Sequence, residues 1–290
     1  MMFFRKRGRL GAILAFVVLA FGLSPASAVA APEDTFVTFS GEGGDSITGD
    51  LTWFYDRSNS QIITSSFENN RVHIRINGDT FWFLDFAAPV GAPLQPGIYE
   101  GATRYPFQAP TEPGLSLSGN GRGCNTLTGS FEVIEATFGP HGFVERFHAT
   151  FEQHCEGSVT SRALGEVLID NGPAPELLVV EVLIDDSVLV SEIGRATVSG
   201  TVTCSKPTHA NIGLTLAQRV NRRLTTTGST FFQIPCTSEP TPISIQLSAQ
   251  PAPYNPGQAQ LDVGGNAFDS DYGVHVFFQS SSLIKLTRAK

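Results

Sequence analysis

Residues 71–86 read Arg71-Val72-His73-Ile74-Arg75-Ile76-Asn77-Gly78-Asp79-Thr80-Phe81-Trp82-Phe83-Leu84-Asp85-Phe86. Val72, Ile74 and Ile76 alternate with Arg71, His73 and Arg75, a period of two that puts apolar groups on one side of an extended strand and charge on the other. Asn77 and Gly78 accept the positive φ of a tight primed turn, and the apolar run Thr80 to Phe86 follows, so the stretch predicts a β-hairpin. The same alternation continues after Ala31, with frequent Gly and Pro, abundant Thr, Ser, Val and Phe, and almost no helix signal. The expected fold is all-β, with two antiparallel β-sandwich domains in tandem.

The N-terminus has a different character. Arg5, Lys6, Arg7 and Arg9 precede an apolar run, Leu10 to Leu23, which is followed by the small-residue patterns Ala26-Ser27-Ala28 and Ala28-Val29-Ala30. A membrane span needs roughly 20 apolar residues, so this run reads as a signal peptide over residues 1–30 and not as a span. The expected product is secreted, with no membrane span in the mature chain.

Removal of that segment takes four of the 19 basic residues and none of the 27 acids, leaving a net charge of −12. The excess is uneven, with seven basic and 18 acidic residues from Ala31 to Pro175 but eight and nine from Glu176 to Lys290. An acidic surface repels phosphate backbones and anionic lipid, which argues against nucleic-acid and membrane partners and leaves calcium and sugars permitted.

Four cysteines in an exported chain imply two disulfides. Cys124 and Cys155 lie in one half and Cys204 and Cys236 in the other, so pairing within each half is favoured over the two alternatives. Asp170-Asn171-Gly172-Pro173-Ala174-Pro175 interrupts the β pattern where the charge balance shifts. The division expected is an acidic β-sandwich over 31–170, a linker over 171–176 and an immunoglobulin-like β-sandwich over 177–290.

In the first half, Cys124 to Ile134 and Phe143 to Cys155 flank a turn at 138–142. Matching apolar faces sets Leu127, Gly129 and Phe131 against Phe151, Ala149 and Phe147. That register puts the two sulfurs on opposite sides, so a bulge near Gly121-Arg122-Gly123 or beside His154 is expected. In the second half, seven strands are read between Leu177 and Phe278, a number that suits a sandwich. Val198, Val202 and Cys204 share one parity and Phe232, Ile234 and Cys236 another, so both sulfurs should face the core.

Phe83-Leu84-Asp85-Phe86-Ala87-Ala88-Pro89, Tyr99-Glu100-Gly101-Ala102-Thr103-Arg104-Tyr105-Pro106-Phe107, Gly121-Arg122-Gly123-Cys124-Asn125 and Phe151-Glu152-Gln153-His154-Cys155-Glu156-Gly157 together resemble a module of exported bacterial proteins. Val198-Ser199-Gly200-Thr201-Val202-Thr203-Cys204 and Gln233-Ile234-Pro235-Cys236 resemble a second such β domain. Both modules are of unknown function. The resemblance implies export and β architecture and supplies no catalytic residues.

Several residue groups are candidates for chemistry. His148, Thr150, Glu152 and His154 share one strand face, but six residues of strand hold the two histidines roughly 20 Å apart, too far for one ion. Asp85 and Glu145 each sit where parity predicts core, and paired carboxylates are what a secreted glycosidase or lyase would use. Tyr105 and Phe107 in a proline-rich loop, and Trp53 in an aromatic run, are the candidate binding residues, since exposed rings stack on sugars. No cofactor is implied. Glu42, Asp45 and Asp50, and Asp269-Ser270-Asp271, are the oxygen clusters calcium would take, although acidic turns are ordinarily only solvated. No nucleophile elbow, zinc-protease or phosphate-loop pattern occurs. The function expected is non-catalytic binding or adhesion towards extracellular glycan or protein, with the enzyme and a structural spacer as alternatives.

Overall fold

The computed structural model describes residues 35–289, so the expected signal peptide lies outside the described residues. These residues are all-β, with no α-helix among them. They form two hydrogen-bonded sheets, each with its own apolar core.

The first sheet contains β1 (Phe36–Glu42), β2 (Thr52–Asp56), β3 (Gln61–Phe67), β4 (Arg71–Asn77), β5 (Phe81–Ala87), β6 (Gly97–Arg104), β7 (Gly114–Gly119), β8 (Leu127–Phe138), β9 (Val144–Cys155) and β10 (Arg162–Asp170). Its order is β2-β1-β10-β9-β8-β6-β7-β5-β4-β3. Strands from its two ends meet across one core, with the Phe39 ring 4.8 Å from Trp82 and Trp53 5.1 Å from Trp82. This half is therefore a nearly closed, barrel-like sheet where two packed layers were expected. Curling brings the aromatic residues of the end strands together and limits the exposed edge that an open sheet would leave.

The hairpin at 71–87 forms, with Arg71 opposite Ala87 and Asn77 opposite Phe81. Val72, Ile74 and Ile76 lie buried with Trp82, Leu84 and Phe86. Its turn differs from the expected primed one, because neither Asn77 nor Gly78 has a positive φ. Three residues make the connection, and Gly78 meets a spatial need: a Cβ there would lie 3.3 Å from the Asn59 carbonyl oxygen.

β8 and β9 pair as expected, but four residues out of the expected register, with Leu127 opposite Cys155 and Phe131 opposite Phe151. Bulges occur at Ile134 and at Glu145, not beside the cysteines. The Cys124–Cys155 bridge forms because Cys124 lies in irregular chain before β8, where strand parity does not apply.

The second sheet contains β11 (Val180–Ile184), β12 (Ser187–Val190), β13 (Ala196–Cys204), β14 (Thr208–Arg219), β15 (Thr225–Cys236), β16 (Thr241–Leu247), β17 (Gly257–Asp269) and β18 (Val274–Arg288). β13 pairs antiparallel with β11, β12 and β16. β15, β14, β17 and β18 run side by side, and β12 joins this layer by pairing parallel with β18. There are thus eight strands where seven were read, since Asp185-Asp186 hides a short strand after β11 in which Val188 and Val190 are buried. Parity holds for the sulfurs: Cys204 and Cys236 are fully buried and bridged, with Cα atoms 5.5 Å apart.

Candidate functional site

The two candidate carboxylates do not form a pair. In β5 the Trp82 row faces the core, so Asp85 points outward with Phe81 and Phe83, the reverse of its expected orientation. Asp85 accepts from Arg71 at 3.2 Å and contacts His73 Nδ1 at 2.9 Å. Glu145 is the extra residue of the β9 bulge, and its Oε1 accepts from the Ala174 amide at 2.9 Å. β5 and β9 meet across the core, with the Phe86 and Phe147 rings 5.3 Å apart, but Asp85 points away from that core and each carboxylate is taken up by its own local partners.

The polar face of β9 is filled by local pairs. His148 bonds Glu166 at 2.9 Å, His154 bonds Glu152 at 2.7 Å, and Arg162 joins Glu152 to Glu42. A hollow of about 440 Å³ opens beside Glu152, His154 and Arg162. Among the described residues no group of three His, Cys, Asp or Glu side chains is placed to hold a metal ion. In the first acidic loop both Asp50 oxygens accept backbone amides of Gly44 and Asp45, while Asp45 Oδ2 accepts from Thr48. Asp45 Oδ1 is buried without a partner among the described residues.

The three candidate binding aromatics separate into two groups. Trp53 packs on the core and donates its indole N–H to the Thr48 carbonyl at 3.1 Å, which makes it a structural residue of the sheet closure. Tyr105 and Phe107 lie together in the loop after β6. The Arg71 guanidinium stands 4.7 Å over the Tyr105 ring and also donates to its hydroxyl, and the Arg104 guanidinium stands 4.9 Å over Phe107, which is 72% exposed.

This loop borders a wider surface. On the outer face of β3, β4 and β5 the register places Ile63 beside Arg75 and Phe83, Ser65 beside His73 and Asp85, and Phe67 beside Arg71. Ile63, Phe67 and Phe81 are exposed. Arg71 and Arg75, two of the seven basic residues between 31 and 175, project from this face, and Asp85 is the one acid on these outward strand rows. Cation–aromatic stacking holds the Arg71 and Arg104 guanidinium groups. Each of the three arginines uses part of its donor set locally, Arg71 on Asp85 and the Tyr105 hydroxyl, Arg104 on the Asn125 carbonyl and Arg75 on Asn77, which leaves the remaining N–H groups for a ligand.

Sequence reading found the loop aromatics but missed this extension. The available signal was that residues 80–86 are apolar on both parities, which a strand with one wet face does not require.

No protein-family model matches the chain, and no curated protein matches it.

Proposed function

We propose that the protein is an exported, non-catalytic binding protein that attaches to an acid-bearing extracellular glycan through the outer face of β3–β5 and the loop of Tyr105 and Phe107. The observation that carries this reading is Arg71 and Arg75 on the outer face of β4, with Arg71 stacked on Tyr105 and Arg104 on exposed Phe107 in the bordering loop, all in a strongly acidic half. At physiological salt the screening length is about 8 Å, so these local cations outweigh the distant acids once a ligand is in contact. The rings cover the apolar faces of sugars and the guanidinium edges take carboxylates.

Export is supported by the N-terminal pattern and by two disulfides, and the strand pairing of the second half supports an immunoglobulin-like reading of it. The glycosidase alternative lacks a carboxylate pair. The spacer alternative applies if no surface of the molecule binds.

The test is an array of uronate-bearing and neutral glycans probed with the mature protein, with and without calcium. Uronate-bearing glycans should bind, salt should weaken the binding, and Arg75→Ala or Phe107→Ala should reduce it at least tenfold. Absence of uronate binding, or binding indifferent to salt and to both variants, rules the proposal out.

A further inference from the structure

The layer β15-β14-β17-β18 turns its other face to solvent, and that face is hollow at its centre. Two adjoining hollows of about 540 and 510 Å³ share Gly264 and Gln279 in their walls. Across the strands the register runs Phe231, Gly213, Gly264, Gln279 in one row and Gln233, Asn211, Asn266, Phe277 in the next. Phe231 is 68% and Phe277 76% exposed, and they stand at the two outer strands of the layer.

The fold itself does not require the absence of side chains at the floor. Neither Gly213 nor Gly264 has a positive φ, and a Cβ on either would come no closer than 3.5 Å to any atom. Neighbouring Gly265 is different, since a Cβ there would lie 2.0 Å from the Asn211 carbonyl oxygen. Glycine inside a strand is destabilising, and where packing does not demand it, it marks the close approach of something else.

The rim limits what that can be. Asn211, Asn266 and Gln233 form an amide chain with hydrogen bonds of 3.1 Å, and Gln279 lines both hollows with no side-chain partner among the described residues. Asp262 is the one charged side chain lining the hollows, and it accepts from Ser281. With no cation in the lining, a phosphate or carboxylate ligand would go uncompensated. At the floor, β14 and β17 are interior strands whose backbone groups are already paired, so an extended peptide lying in the trough would find no strand edge there to join. What fits is a ligand with apolar ring faces and uncharged hydroxyl edges. The outer strands are three steps of about 4.8 Å apart, so it spans more than one sugar ring.

We infer that this trough binds a neutral polysaccharide chain, with Phe231 and Phe277 as stacking platforms, Gln279 and Asn266 as hydroxyl partners, and Gly213 and Gly264 as the cleared floor. The site is separate from the arginine-lined face and does not depend on it.

The test is affinity electrophoresis and calorimetry of the mature protein with a soluble β-1,4-glucan, β-1,3-glucan, xylan and mannan. At least one should bind, and Phe277→Ala, Gln279→Ala and Gly264→Val should each weaken it tenfold or more. Arg75→Ala and Phe107→Ala, which affect the other face, should leave it unchanged. Gly264→Val should keep or raise the melting temperature, because the fold has room for its Cβ. No binding to any of the four, binding that survives all three trough variants, or a melting temperature that collapses in Gly264→Val overturns the inference.

Discussion

The Tyr254 hydroxyl donates a 2.8 Å hydrogen bond to the Leu216 carbonyl, tying the segment before β17 to the buried middle of β14. Gly228 lies directly beside it: a Cβ there would meet the Tyr254 hydroxyl at 2.6 Å and the Ser248 carbonyl oxygen at 2.5 Å. Tyr254→Phe should cost about 1 kcal/mol, the worth of one buried hydrogen bond, and Gly228→Ala about 2 kcal/mol through overpacking. Urea unfolding of the two variants checks both values. Burial also pushes the Tyr254 phenol pKa up. The unfolded phenol therefore ionises first, and stability should fall as pH rises above about 10, a loss that Tyr254→Phe should partly remove.

A charged cluster at the entry to the second sheet leads to a prediction in acid. Burial disfavours the Asp269 carboxylate, but Lys206 at 2.7 Å and the amides of Leu178 and Asp271 outweigh it and hold its pKa below the ordinary value. A lowered folded pKa contributes stability that is complete above the unfolded value of about 3.9 and is lost as pH falls through the folded one. Asp269→Asn should lower stability at neutral pH by about 2 kcal/mol and flatten the acid limb of the profile. Denaturant midpoints between about pH 3 and 7 read both effects. An unchanged acid limb counts against the role given to this carboxylate.

Alternation located the strands of both halves, yet it settled the facing of side chains only where one parity was clearly apolar. In β13 it placed Val198, Val202 and Cys204 inward, as found. In β5 both parities are apolar, and tertiary contacts decide. Trp82 turns inward, where its indole N–H reaches the Tyr55 hydroxyl at 2.8 Å, leaving Phe81 and Phe83 outside. The β8–β9 register was not legible because a slip of four residues keeps every side chain on the same face, so alternation fits either register, and the two bulges, one on each strand, cancel. The arginine-lined face was partly visible through Tyr105 and Phe107. The rest of it depends on three strands being in register, and spacing along one strand carries no such information.

The two bridges close loops of similar size, with 31 and 32 residues separating their cysteines. Loop-closure entropy gives each roughly 3–4 kcal/mol, so replacing either pair by alanine should cause a loss of that size in denaturant unfolding. Access should differ between them. Cys204 and Cys236 are fully buried in the second core, whereas Cys124 lies in irregular chain at the margin of the first. Dithiothreitol without denaturant should reduce Cys124–Cys155 first, as read by alkylation and mass spectrometry. Reduction of Cys204–Cys236 ahead of it contradicts this order.

The segment 171–176 has the composition of a flexible linker, but its groups are held on both sides. Asn171 donates its side-chain amide to the Val144 carbonyl at 2.7 Å and to Thr64 Oγ1 at 3.0 Å, and it accepts from Arg57 at 2.9 Å. Glu145 takes the Ala174 amide, the Pro175 carbonyl accepts from the Tyr272 hydroxyl, and Lys206 donates to the Glu176 carbonyl at 2.8 Å. Proteolysis needs several residues to detach together, so this segment should resist cleavage despite its prolines and glycine. Asn171→Ala removes three of these bonds at once and should speed cutting within 171–176 by about tenfold, the effect of roughly 1.4 kcal/mol of lost local stability. Limited digestion followed by intact-mass analysis locates the cut, and equal cleavage rates in the variant and the parent protein would show that Asn171 does not hold the segment closed.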